Sequence, residues 1–242
     1  MERKNLVKRC LFLVVLAVIF LFVILIMARY EEEGEKQIPF NIAKMLIVSS
    51  VNGVQNTESE HVWDIDVSQV NDIYIYIERN KNEDETIKEI VFENFKTYPE
   101  DMSNIKIYRP TGELEKLYLY STEDYKEKSI AFLGTVKDDM KNLEIANIGG
   151  MCGFRLSNEN LGKFVSDEET EEIIYDGRLL EKIGILNENV KLKLAFDIII
   201  KTDDGINYRG NVVVDMPGDG LIEEGKTTIE INDFGNVIFK RF

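Results

Sequence analysis

Between Cys10 and Ala28 the chain reads CLFLVVLAVIFLFVILIMA, nineteen residues without a charge, an amide or a proline. Coiled at about 1.5 Å per residue, the run is roughly 28 Å long and matches the ~30 Å hydrocarbon core of a bilayer. A helix in a soluble core keeps a polar stripe on its solvent side, and this run has none. It is expected to cross a membrane once, as an uncleaved anchor. A secretory signal has a shorter apolar core of about 7–15 residues and a small-residue cleavage site, and Ile26-Met27-Ala28 is a poor one.

The flanks give the anchor a direction. Arg3, Lys4, Lys8 and Arg9 precede it, whereas Arg29 is followed by Glu31, Glu32, Glu33 and Glu35. Short cation-rich flanks stay in the cytoplasm. Residues 1–9 are thus expected to be a cytoplasmic tail, 10–28 the transmembrane helix, and 29–38 a charged linker with Gly34 as its soft point. The remainder is expected to lie outside the cell membrane.

That outer region is acidic: beyond residue 30 there are 24 basic and 43 acidic residues, a net charge of −19. Such a surface repels nucleic acid and other polyanions, whose binding needs Lys and Arg to displace counterions. Ten Phe and nine Tyr beyond residue 30 give it too many large apolar groups for a disordered tail. Cys152 is the only cysteine past the span, so no internal disulfide can form there and packing must hold the fold. With no Asn-x-Ser/Thr acceptor, the chain fits a bacterial envelope protein.

The patterning is that of strands. Ala43–Val51 is apolar and β-branched, and Asn52-Gly53 after it is a tight-turn signal. In Asp72–Arg79, Ile73, Ile75 and Ile77 alternate with Tyr74 and Tyr76, the period of a strand with two unlike faces. A charged loop leads to a returning strand at Ile87–Phe95, and Asn104–Tyr108 and Glu113–Tyr120 follow. The pattern loosens from Ser121 to Asn142, with Ser129–Thr135 as one strand, and Gly149-Gly150-Met151-Cys152-Gly153 reads as flexible backbone before Phe154–Ser157.

One short helix is expected near Leu179, Leu180 and Ile183, with Asp176 as its cap and Gly184 at its end. Lys191–Lys201 and Tyr208–Met216 form the clearest hairpin, turning at Asp204-Gly205, and Thr227–Ile231 with Val237–Phe239 form another around Phe234-Gly235. Many strands separated by turns make the fold class mainly β, an Ig-like β-sandwich behind one transmembrane helix. The loosened stretch divides it into a sandwich at 39–121, a connecting segment at 122–150 and a second sandwich at 151–242, although one sandwich fits the same pattern.

No residue set names a reaction. One Cys, one His and several Arg in an anchored β-rich chain resemble the sortase transpeptidases in kind, with Cys152, His61 and Arg155 or Arg178 in the corresponding roles. The sortase cysteine follows a Thr-Leu-x-Thr stretch, whereas Cys152 follows Gly149-Gly150-Met151. There is no Gly-x-Ser-x-Gly for a serine hydrolase, and one His with one outer Cys cannot close a zinc site. No cofactor is expected. Calcium is the ion with oxygen ligands within reach, from Asp64 and Asp66, Asp203 and Asp204, or Asp215, Asp219, Glu223 and Glu224, though none has EF-hand spacing.

The candidate interaction surface is Tyr74, Tyr76, Tyr118 and Tyr120, tyrosines alternating on strands where they can face a partner. The expected function is a binding or scaffolding subunit of a cell-envelope complex, held by a protein partner. A wall-polymer binding module and an anchored enzyme are the alternatives.

Overall fold

A 32-residue helix, α1 (Glu2–Glu33), opens the chain. Its stretch Leu11–Glu33 is long and apolar enough to cross a membrane, and none of it is buried against the rest of the protein. The computed structural model describes residues 2–81, 83–99, 104–112, 119–136, 143–169 and 177–242.

Behind the helix lie two sheets. The first runs β10 (Lys226–Ile231), β1 (Phe40–Gln55), β2 (Trp63–Arg79), β7 (Gly149–Ser166), β4 (Ile105–Tyr108). The second runs β11 (Lys240–Arg241), β9 (Asn207–Asp215), β8 (Lys193–Thr202), β3 (Ile87–Tyr98), β5 (Ile130–Thr135), β6 (Glu144–Ala146). All pairings are antiparallel except β5 with β6. Inward residues of both sheets form one apolar core. At its centre the Phe154 ring of the first sheet lies 5.4 Å from Phe92, 5.1 Å from Phe95 and 5.4 Å from Phe196 of the second. Such edge-on and tilted contacts are the favoured geometry of buried rings.

The mainly β sandwich matches its expectation, but the strands of 39–121 and 151–242 do not separate. β2 pairs with β7 through fifteen positions, from Trp63 with Ser166 to Glu78 with Gly149, and β3 pairs with β8. The two stretches share both sheets and one core, so the division at 122–150 marks a crossing between sheets. The expected hairpin of Asp72–Arg79 with Ile87–Phe95 is such a crossing, because β2 and β3 lie in different sheets. Likewise the stretch expected as a strand at Val237–Phe239 is not one; the last strand is β11, which pairs with β9 while β10 pairs with β1, so the chain does not end in a hairpin there. The β8–β9 hairpin is present.

Two glycine-containing stretches also differ from expectation. Asn52 and Gly53 sit inside the β1–β2 ladder opposite Ser68 and Val67, and the turn follows Gln55. Residues 149–153 are strand; a Cβ at Gly153 would come 2.1 Å from the Ile73 carbonyl oxygen, so glycine there permits close backbone approach and supplies no looseness.

β1, β2 and β7 have 16, 17 and 18 residues, against 12, 10 and 9 in β3, β8 and β9. At about 3.3 Å per residue the first sheet overhangs the second by some 15–20 Å. Three short helices cover the overhang: α2 (Gly177–Lys182), α3 (Asn187–Val190) and α4 (Leu221–Glu224). Leu179, Leu180, Val190 and Leu221 pack there with Val51, Ile65, Val67 and Phe164 as a second core. α2 is the expected helix, closed by Gly184 at φ +73°; Asp176 lies outside the described residues. Between the cores the inward positions turn polar. Asn71 accepts hydrogen bonds from the Ser49 hydroxyl and from Gln69 Nε2 (3.2 Å) and donates to the Leu156 carbonyl (3.3 Å).

The 29–38 segment is not a loose tether. α1 continues through Glu33, and Gly34, at φ +68°, ends it by donating to the Tyr30 carbonyl at 2.8 Å. The Glu35 amide then donates to the Phe239 carbonyl at 2.7 Å.

Candidate functional site

Alternation along β2 sends Ile73, Ile75 and Ile77 inward and leaves Asp72, Tyr74 and Tyr76 half-buried on the outer face of the first sheet. Register then decides their neighbours. Asp72 stands opposite Arg155 of β7, Tyr74 opposite Gly153, and Tyr76 opposite Met151. Arg155 forks onto both Asp72 oxygens, Nε to Oδ1 at 2.7 Å and Nη2 to Oδ2 at 3.0 Å. This bidentate geometry fixes guanidinium and carboxylate together. Because Gly153 carries no side chain, no cross-strand group from β7 crowds the Tyr74 ring.

Tyr120 completes the cluster from outside the sheet. The segment holding it folds back over β4, with the Ser121 amide donating to the Arg109 carbonyl at 2.9 Å and Tyr120 bridging Pro110. Its ring stacks on Arg155, with the guanidinium carbon 4.1 Å from the centroid, a cation–π contact. The Tyr120 and Tyr74 hydroxyls are hydrogen-bonded to each other.

Burial, reinforced by the Asp72 charge, raises both phenols above the ordinary tyrosine value. For Arg155, burial is the largest single influence and works against the charge, but the Asp72 hydrogen bonds and charge, together with Tyr120 and Tyr74, outweigh it and hold the guanidinium protonated. Farther along β4, burial and a hydrogen bond to Glu159 raise the Tyr108 phenol, and Lys106 pairs with Glu159 at 2.6 Å. A shallow cleft of about 460 Å³ opens beside these groups, with Tyr108, Tyr120 and Arg155 on one wall and Asp66, Ser68 and Asn160 among its polar lining.

Of the four tyrosines singled out from sequence, Tyr74 and Tyr120 meet. Tyr76 lies next along β2 beneath Lys44, whose Nζ is 4.8 Å from the ring centroid. Tyr118 lies outside the described residues, as does most of the strand expected at Glu113–Tyr120. Sequence reading missed Asp72, although its parity places it on the tyrosine face, and named Arg155 only for the sortase-like set, since only the β2–β7 register brings it to Asp72 across 83 residues.

The sortase-like set is not assembled. Cys152 points inward from β7, fully buried, and burial raises its thiol so that it stays protonated. It pairs with Ile75, twelve residues and roughly 40 Å along β2 from Trp63. His61 lies beyond that end, its Nδ1 2.9 Å from Oδ1 of exposed Asp167. Arg155 projects from the opposite face of β7, and Arg178 is on α2 at the far end.

Five of the eight calcium candidates are engaged elsewhere. Asp64 pairs with Lys163 at 2.7 Å, Asp203 accepts from Thr86, Asp204 accepts from the Ile206 amide at 3.2 Å, and Asp215 and Asp219 pair with Lys193 and Lys191. Among the described residues no three His, Cys, Asp or Glu converge as a metal site.

The outer-face cluster therefore offers flat rings, a neutralised guanidinium and protonated hydroxyls. These groups suit recognition of a surface and supply neither a free base nor an activated nucleophile. No protein family, curated protein or solved structure matches the chain.

Proposed function

We propose that the chain is a membrane-anchored binding subunit of a cell-envelope complex, with its N-terminus in the cytoplasm and its sandwich outside, and that a protein partner docks on the outer face of the five-stranded sheet. The observation that carries this reading is the preformed Tyr74–Tyr120–Arg155–Asp72 cluster. Tyrosine and arginine dominate the energetics of protein interfaces because they bury large flat areas while keeping polar ends. Here the Asp72 fork and the Tyr120 stack already hold Arg155 in place, so docking has less side-chain freedom to freeze. The net charge of −19 beyond residue 30 directs the choice toward a neutral or basic partner surface.

The cleft beside the cluster supports a second reading, a wall-polymer module, since polar side chains with tyrosine rings on one wall also suit a neutral saccharide. A single experiment separates the two. The full chain in detergent is offered solubilised membranes and purified wall polymer separately, alongside the Arg155→Ala and Tyr120→Ala variants. Recovery of one membrane protein by the parent and not by the variants is the expected result. Retention on wall polymer alone replaces the first reading with the second, and equal recovery by parent and variants removes the cluster from either.

A further inference from the structure

The junction between α1 and the last strand places one edge of the sandwich at a definite depth. Tyr30 is two residues past Ala28, about 3 Å along the helix axis. Its hydroxyl accepts from the backbone amide of Arg241 at 2.7 Å. Lys240 pairs with Glu31, and Arg241 Nε with Glu35 Oε2 at 2.9 Å. β11 is thus tied to the first turn beyond the apolar run. The polar layer on each side of a bilayer is about 5–8 Å thick, so a strand held at that height falls within it.

The residues at this edge have the matching chemistry. Phe242 is 59% exposed, Val213 48% and Ile238 39%, beside the aromatic Tyr30 and the cations Lys240, Arg241 and Arg209. The Arg209 guanidinium lies 4.4 Å from the centroid of the Phe242 ring. Aromatic rings with cations alongside are the groups that settle at the boundary of chain and head group. Each of the three cations has a carboxylate partner, Arg209 bonding Glu93 at 3.0 Å, so no surplus positive charge selects anionic lipid.

We propose that β11 with its flanking Ile238 and Phe242 is a membrane seat, resting in the lipid head-group layer where α1 leaves the bilayer. This rests on α1 being a membrane span. The sandwich is then carried in one fixed attitude, and its tyrosine cluster is presented at a set position above the membrane.

The chain's single tryptophan provides the control. Trp63 begins β2, whose other end, Arg79, pairs with Phe40 near the helix junction; seventeen residues of strand, roughly 50 Å, separate the two ends. The full chain is reconstituted into phosphatidylcholine vesicles bearing a nitroxide on the head group, as the parent and as the Trp63→Phe/Phe242→Trp double variant. The expected result is co-flotation of both proteins with the vesicles, strong quenching of the indole at position 242, and little quenching of Trp63. Co-flotation with position 242 unquenched overturns the seat while leaving the anchor intact. Equal quenching of both indoles means that the sandwich lies along the membrane, and this also overturns it. Failure to float refutes the span itself, and the seat with it.

Discussion

Arg155 shows how much of this protein's surface chemistry is set by one side chain. It forks onto Asp72, carries the Tyr120 ring, and so fixes a phenol hydrogen-bonded to Tyr74. Lysine at 155 would keep the charge but lose both the fork and the planar stack. The raised phenols have a consequence for stability. An unfolded tyrosine ionises near pH 10, whereas Tyr120, Tyr74 and Tyr108 hold their protons to higher pH because they are buried beside acidic charge. Above pH 10 the unfolded chain thus binds fewer protons than the native one, and stability must fall as pH rises. Their contribution is complete below pH 10 and lost progressively above it. Denaturant midpoints measured between pH 8 and 11 are expected to drop, with Tyr120 contributing at most about 1.4 kcal/mol per pH unit. Tyr120→Phe should flatten that slope, and an unchanged slope would show that this phenol titrates normally.

At the scale of elements, local pattern and long-range pairing part company. The alternation of Asp72–Arg79, the β8–β9 hairpin and the helix around Leu179 were legible because period, turn residues and end glycine act over a few positions. The pairing of β2 with β7 was not, since any strand with an apolar face satisfies the same pattern. Half of the outer-face cluster stayed hidden with it: parity shows Asp72 beside Tyr74, but only register brings Arg155 opposite. Gly34 misled in another way. Read alone it is a flexible residue; in place its positive φ ends α1, and a Cβ there would meet Ile238 Cγ2 at 2.4 Å and the Phe239 carbonyl oxygen at 2.5 Å. Gly34→Ala is expected to open the clasp between helix and β11, accelerating amide exchange at residues 238–242 while the main-core amides keep their protection. Retained protection at 238–242 would show that the junction tolerates the methyl group. The polar rows make a separate prediction. Asn71→Ala would leave the Ser49 hydroxyl, the Gln69 amide and the Leu156 carbonyl short of partners inside the sheet, a loss of about 2–4 kcal/mol in equilibrium unfolding. A loss under 1 kcal/mol would mean that water replaces the amide.

Across the whole molecule, those polar rows divide one continuous sheet between two cores of unequal size. Among the described residues the main core gathers thirty buried residues, while the far core has eight, half of them on the three short helices. Backbone ladders run through both, but few apolar contacts bridge Ser49, Gln69, Asn71 and Asn158, so stability is free to differ on the two sides. Leu180, fully buried against the overhang, tests this division. Leu180→Ala removes apolar contact and leaves a cavity, at a cost of about 2–5 kcal/mol. If the cores open separately, native-state hydrogen exchange should quicken at Ile65, Val67 and Phe164 and remain unchanged at Ile73, Ile75 and Phe154. The tyrosine cluster, which sits over the main core, would then keep its geometry and with it the docking proposed for that face. Uniform acceleration at all six amides would instead make the sandwich one cooperative unit, and loosening at the far end would reach the cluster.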